Sequence, residues 1–192
     1  MLGVLAYQTG KNELALQLIS RTLELQPDLA EAHNNLGLVS QQLGRTQNAK
    51  ASYQKAIGLN EHYAEAHNNL GLIQQLLGNR REAESSCRKA ILIRPTYAEA
   101  HYNLGNVFRT LGAFDDAVAS YQTALSLNPD YILAYNNLAL TFRELGRLKE
   151  ALACLEEAAS LQPELADTCE YARHLSKSGN VEEAVDSYCR IF

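Results

Sequence analysis

Apolar positions return along this chain in paired helical stripes. Leu104, Val107, Phe108 and Leu111 stand three and four residues apart, and after Gly112 a second stripe runs through Ala117, Tyr121, Ala124, Leu125 and Leu127. That spacing places apolar side chains on one face of a helix, whereas a half-buried strand would alternate. The pattern predicts two amphipathic helices joined at the glycine. It recurs every 34 residues in four complete units, 30–63, 64–97, 98–131 and 132–165. A unit of this size cannot bury its own apolar face, so copies must stack.

Within each unit, residue 7 is leucine (Leu36, Leu70, Leu104, Leu138), residue 15 glycine (Gly44, Gly78, Gly112, Gly146) and residue 20 alanine (Ala49, Ala83, Ala117, Ala151). Residue 27 is alanine again, and residue 32 is Pro95, Pro129 or Pro163, with Glu61 in the first copy. Glycine at residue 15 predicts the end of the first helix, where a left-handed conformation is cheap only without a Cβ. Small side chains at residues 8, 20 and 27 allow close helix approach, and Tyr53, Tyr121 or Leu155 at residue 24 fills the groove that remains. Proline at residue 32 has no amide to continue the second helix.

Partial copies flank the series at 1–29 and 166–192. The second of these runs at a spacing of 33, with Gly179, Ala184 and Tyr188 echoing Gly146, Ala151 and Leu155. No Ser- or Gly-rich linker interrupts the chain, so a single α-solenoid over 1–192 is expected. Met1 falls on the asparagine position of a unit lacking its first five residues. Cys189, Ile191 and Phe192 close the last helix without a polar capping helix. Both ends lead to the expectation of a piece of a longer chain, its open end covered by further repeats, a catalytic domain or another copy.

The unit resembles the tetratricopeptide repeat (TPR) family. Its pattern of Leu-Gly, then Ala and an aromatic, then Pro is met best at Leu104, Gly105, Phe108, Ala117, Tyr121 and Pro129. His33, His67, His101 and Tyr135 stand where the family usually has tryptophan, and Ser40 and Gln74 stand for its tyrosine. The resemblance implies an all-α, right-handed α-α superhelix of helix-turn-helix repeats. The phrases AEAHNNLG and AEAHYNLG are most similar to units of O-linked N-acetylglucosamine transferases and their bacterial relatives. It follows from that likeness that Asn35, Asn69, Asn103 and Asn137 form a ladder of amides on a concave face and hold extended peptide by its backbone. Similar repeats also precede bacterial sulfotransferase and glycosyltransferase domains.

Around the ladder, residues 2, 5, 6, 9 and 12 of each first helix would face the same groove, bringing in Asn34, Asn68, Tyr102, Asn136, Asn106, Arg109 and Arg143. Carboxamides suit a sequence-tolerant grip because each offers two donors and an acceptor. The same amides can instead brace neighbouring repeats, and the two roles can coexist. Arg109 and Arg143 either form a basic end for an acidic side chain or carboxylate, or are solvated near helix ends. The Lys/Arg carboxylate clamp of chaperone-binding TPR domains does not fit, since residues 2, 5 and 6 include no basic side chain.

Composition narrows the function further. A net charge of −5 and a pI near 5.5 argue against nucleic acid or an anionic membrane. No apolar run approaches the roughly 18 residues of a membrane span, and the first residues lack the basic, apolar and small-residue order expected of a signal peptide. The four cysteines match neither a zinc pair nor a redox motif and read as small apolar residues, reduced in a cytoplasmic protein. The histidine series faces successive layers, too far apart to share one ion. No phosphate loop, nucleophile elbow or zinc-protease motif occurs, so neither catalysis nor a cofactor is expected. The expected partner is a protein or peptide. Two further readings stay open: a substrate-recruiting region of a larger transferase, and a module self-associating through its open terminal repeats.

Overall fold

The fold is known from a computed structural model, which describes residues 2–166 and 168–192 without the side chains of Leu2, Val4 and Tyr171. Met1, at the asparagine position of the first partial unit, lies outside the described residues. So does the side chain of Tyr171, near which the asparagine series would end. The chain forms two compact units, Met1–Pro95 and Thr96–Phe192. The first holds α1 (Leu2–Gln8), α2 (Asn12–Leu25), α3 (Ala30–Gln42), α4 (Thr46–Leu59), α5 (Ala64–Leu76) and α6 (Arg80–Ile93). The second holds α7 (Ala98–Leu111), α8 (Phe114–Leu127), α9 (Ile132–Glu144), α10 (Leu148–Ser160), a 3₁₀ turn at Pro163–Leu165, α11 (Glu170–Lys177) and α12 (Val181–Ile191).

In the first unit, α1 pairs with α2, α3 with α4 and α5 with α6. Each second helix then packs on the next first helix, α2 on α3 and α4 on α5. The core follows the small-residue register: Ala15, Ala49, Ala56, Ala83 and Ala90 are fully buried, together with Val39, Ile73, Tyr53 and Cys87. In the second unit α7 pairs with α8, α9 with α10 and α11 with α12, while α8 packs on α9. Ala117, Ala124, Ala151 and Ala158 repeat the same buried register.

The first helix of each pair ends in a left-handed glycine. At Gly112, φ is 76°; its N–H reaches Arg109 O at 3.1 Å and the Ala113 N–H reaches Phe108 O at 3.0 Å. These two bonds satisfy carbonyls that the helix end leaves orphaned. Helices α2, α4, α6 and α8 stop at one register with or without proline, and α10 stops one residue earlier. After α4, which has no proline, Asn60 Oδ1 accepts the His62 N–H at 3.1 Å, and Asn128 Oδ1 makes the same turn to the Asp130 N–H at 3.3 Å around Pro129.

Residue 8 shows how tightly the pairs close. A methyl at Gly37 would lie 2.4 Å from the Tyr53 ring, and one at Gly105 would lie 2.6 Å from Tyr121. Where residue 8 is Ala139, residue 24 is the slimmer Leu155, and both are buried. At Gly71 the facing residue is Cys87, and a methyl would lie 2.7 Å from its sulfur, so glycine allows the close approach there as well.

The end of the second unit departs from the repeat. Gly179 is left-handed at φ 84°, and Ala184 and Tyr188 are fully buried, as their echoes of the preceding unit require. Yet α11 begins only at Glu170 and is short, and α12 packs on α10. In the preceding pairs a first helix takes that place.

Candidate functional site

In each first helix, residues 5, 6 and 9 project away from residues 7, 8 and 11, which pack on the second helix. A polar stripe is left on α3 and α5 of the first unit, and another on α7 and α9 of the second. In the first unit that stripe is an amide network. Asn34 is buried, and its Oδ1 accepts from Asn69 Nδ2 at 3.0 Å, tying α5 to α3. Tyr63, which precedes α5, also reaches the Asn34 side chain. Burial raises the Tyr63 phenol, helped by Glu65 and Glu31 and opposed by that hydrogen bond. The Tyr53 hydroxyl donates to Gln41 Oε1 at 3.1 Å, and Glu65 pairs with Arg94 at 2.5 Å. Asn35 and Asn69 are half-buried, and Asn68 is wholly buried.

In the second unit the stripe is built from phenols as much as amides. Asn137 Nδ2 donates to the Tyr102 hydroxyl at 3.0 Å and to Asn106 Oδ1 at 2.8 Å. The Tyr121 hydroxyl donates to the same Asn106 oxygen at 2.7 Å, so both of that oxygen's lone pairs are used. The Tyr102 ring lies 4.9 Å from Tyr131 and 5.9 Å from Tyr121, tilted against each. Burial holds the Tyr121 phenol well above its ordinary range, although the nearby Arg109 opposes the shift. Arg109 Nε is buried and has no hydrogen-bond partner, and Asn136 Oδ1 is in the same condition. Arg143 lies 3.6 Å from Asp186 of α12.

The expected site residues thus divide. Asn35, Asn69, Tyr102, Asn106, Arg109, Asn136 and Asn137 are half-buried at the stripe and Arg143 is exposed, while Asn34, Asn68 and Asn103 lie inside. The residue spacing did not reveal Tyr63 and Tyr131, which border the stripe from residue 34 of their units. Their recurrence with Tyr97 was the available signal. Nor did it reveal that Tyr53 and Tyr121, read as groove fillers, end in hydroxyls bonded to that stripe. The histidines serve the turns: His33 Nε2 meets Pro27 O at 2.8 Å, and His67 Nε2 meets Glu61 O at 3.0 Å. Burial lowers the pKa of His67. Away from the asparagines, a recess of about 300 Å³ between α4, α5 and α6 is lined by Ile57, His67, Leu70, Gln74, Ser86 and Lys89.

The tetratricopeptide repeat model matches residues 30–63, 64–97, 98–131 and 132–165. The chain belongs to the tetratricopeptide repeat family. Among solved TPR-like structures, MamA is 26% identical and superposes with a TM-score of 0.75, covering 87% of this chain and 98% of that one. TTC0263, a thermophilic TPR protein in Thermus thermophilus, is 29% identical at a TM-score of 0.72, over 86% and 91% of the two chains. PilF of Pseudomonas aeruginosa covers 97% of this chain and 85% of its own at a TM-score of 0.82. Its 23% identity speaks for the fold. No curated protein matches the chain. The fold is the all-α TPR fold, and no described helix is long and apolar enough to cross a membrane.

Proposed function

We propose that this TPR chain is a non-catalytic scaffold that holds extended peptide or protein segments on the first-helix stripes of its units. The carrying observation is that the stripe's amides are held in place yet only partly spent. Asn69 commits one amide hydrogen to Asn34. Its second hydrogen and its carbonyl are left for the N–H and C=O of a bound chain. Asn137 commits both hydrogens and keeps its Oδ1 as an acceptor. Oriented amides reduce the entropy lost on binding, because their rotamers are already fixed. Bracing and binding are then two uses of one side chain.

The narrower reading, a substrate-recruiting region of a glycosyltransferase or sulfotransferase, rests on the AEAHNNLG and AEAHYNLG phrases alone. It predicts the same grip.

Selection of random peptides displayed on phage, followed by affinity measurement on purified variants, tests the scaffold reading. Asn35 makes none of the described side-chain bonds, so Asn35→Ala is the clean probe. Asn103→Ala is not, since Asn103 is buried. Selected peptides should lose about 5- to 10-fold in affinity for Asn35→Ala or Asn69→Ala, the worth of one hydrogen bond. Peptides that bind both variants as tightly as the parent chain would count against the stripe.

A further inference from the structure

Among the described residues of the second unit's stripe, Arg109 combines a positive charge with an uncommitted buried donor. Tyr102, Asn106 and Arg109 follow one another at i, i+4 and i+7 along α7, so they share a single face. Asn106 has both oxygen lone pairs filled, by Tyr121 and Asn137, and its amide hydrogens remain to be offered. A guanidinium and a neutral amide therefore stand side by side, both able to donate and with no carboxylate between them.

The other three repeats sharpen the contrast. The same position is Gln41 and Gln75 in the first unit, where the side chain is neutral and Gln41 already accepts from Tyr53. It is Arg143 in the next repeat, where Asp186 of α12 supplies a carboxylate at 3.6 Å. Among the described residues, no acidic side chain makes that contact with Arg109. The chain thus sets a carboxylate against one of its two stripe arginines, and against the other only the neutral Tyr121 hydroxyl.

From this we propose that Arg109, assisted by the Asn106 amide, is the point at which the groove recognises one Asp or Glu side chain of the bound peptide. A carboxylate there would receive charge-assisted bonds from the planar guanidinium fork. Because the chain itself carries −5, a single acid in an otherwise neutral segment fits better than an acidic tract, which the protein's own field would repel. The inference rests on the groove reading above and adds a residue preference to it.

The capped tripeptides Ac-Ala-Glu-Ala-NH2 and Ac-Ala-Gln-Ala-NH2 provide the test, titrated into ¹⁵N-labelled protein and followed by NMR. The glutamate peptide should move the Arg109 Nε–H signal and the side-chain amides of Asn106 and Asn137, with shifts at least threefold larger than those from the glutamine peptide. Arg109→Gln should abolish the difference. Arg109→Lys, which keeps charge without the fork, should retain part of it, so that a folding defect in one variant does not decide the matter. Equal shifts from the two peptides at these signals would overturn the acid preference and leave the groove intact. A glutamate effect that survives in Arg109→Gln, or no shift at these signals from either peptide, would also overturn it. Peptide selection on an Asn137→Ala variant decides the second unit's groove separately.

Discussion

The α3/α5 stripe and the α7/α9 stripe come from the same repeat, with the same asparagine at residue 6, yet they are wired differently. In the first, Asn69 bonds to an amide, Asn34. In the second, Asn137 bonds to a phenol and an amide together, Tyr102 and Asn106. The cause lies at residues 5 and 9. Where these are Asn34 and Leu38, one partner is available; where they are Tyr102 and Asn106, there are two, and Tyr121 joins them. A repeat frame therefore fixes where the ladder amide stands, and its neighbours decide how much hydrogen-bonding capacity it keeps.

The largest expected effect comes from the packing beneath these stripes. Gly105→Ala would place a methyl 2.6 Å from Tyr121 and push that ring off Asn106. Overpacking of this kind costs about 1–3 kcal/mol, and urea denaturation should find a loss near the middle of that range. Combining it with Tyr121→Leu reproduces the Ala139/Leu155 pair of the next repeat and should recover part of the loss. A double variant no more stable than Gly105→Ala would break the packing account.

Asn106→Leu would convert the second stripe toward the first. It removes the acceptor shared by Tyr121 and Asn137, a cost of about 1–2 kcal/mol. A double-mutant cycle with Tyr121→Phe should show the two losses to be strongly non-additive. Additive losses would mean that the shared oxygen does not couple them. The smallest effect is expected for Asn69→Ala, which strips a single bond from buried Asn34 and should cost about 1 kcal/mol in thermal unfolding.

The fold was legible in the sequence because packing is periodic. Leu104, Gly112, Ala117 and their counterparts recur since every helix pair meets the same neighbours. The bonding of the stripe side chains was not legible, because it depends on pairs 31 and 35 residues apart, such as Asn106–Asn137 and Tyr102–Asn137, that no helical period brings together. The hydroxyls of Tyr53 and Tyr121 were hidden by their rings, whose volume explained the residue before the polar end was considered. Arg109 and Arg143 look identical in the sequence and part only when Asp186 of α12 comes to lie beside one of them. The short α11 likewise follows from local departures after Pro163 that a spacing of 33 only hints at.

Both stripes are proposed to hold peptide through first-helix side chains. The most direct measurement is an NMR titration of ¹⁵N-labelled protein with one phage-selected peptide, read at the side-chain amides. Saturable shifts at Asn35, Asn69, Asn106 or Asn137, with the signals of α4, α6, α8 and α10 nearly still, are the predicted result. Shifts confined to those second helices, or to the recess beside His67 and Gln74, would contradict it.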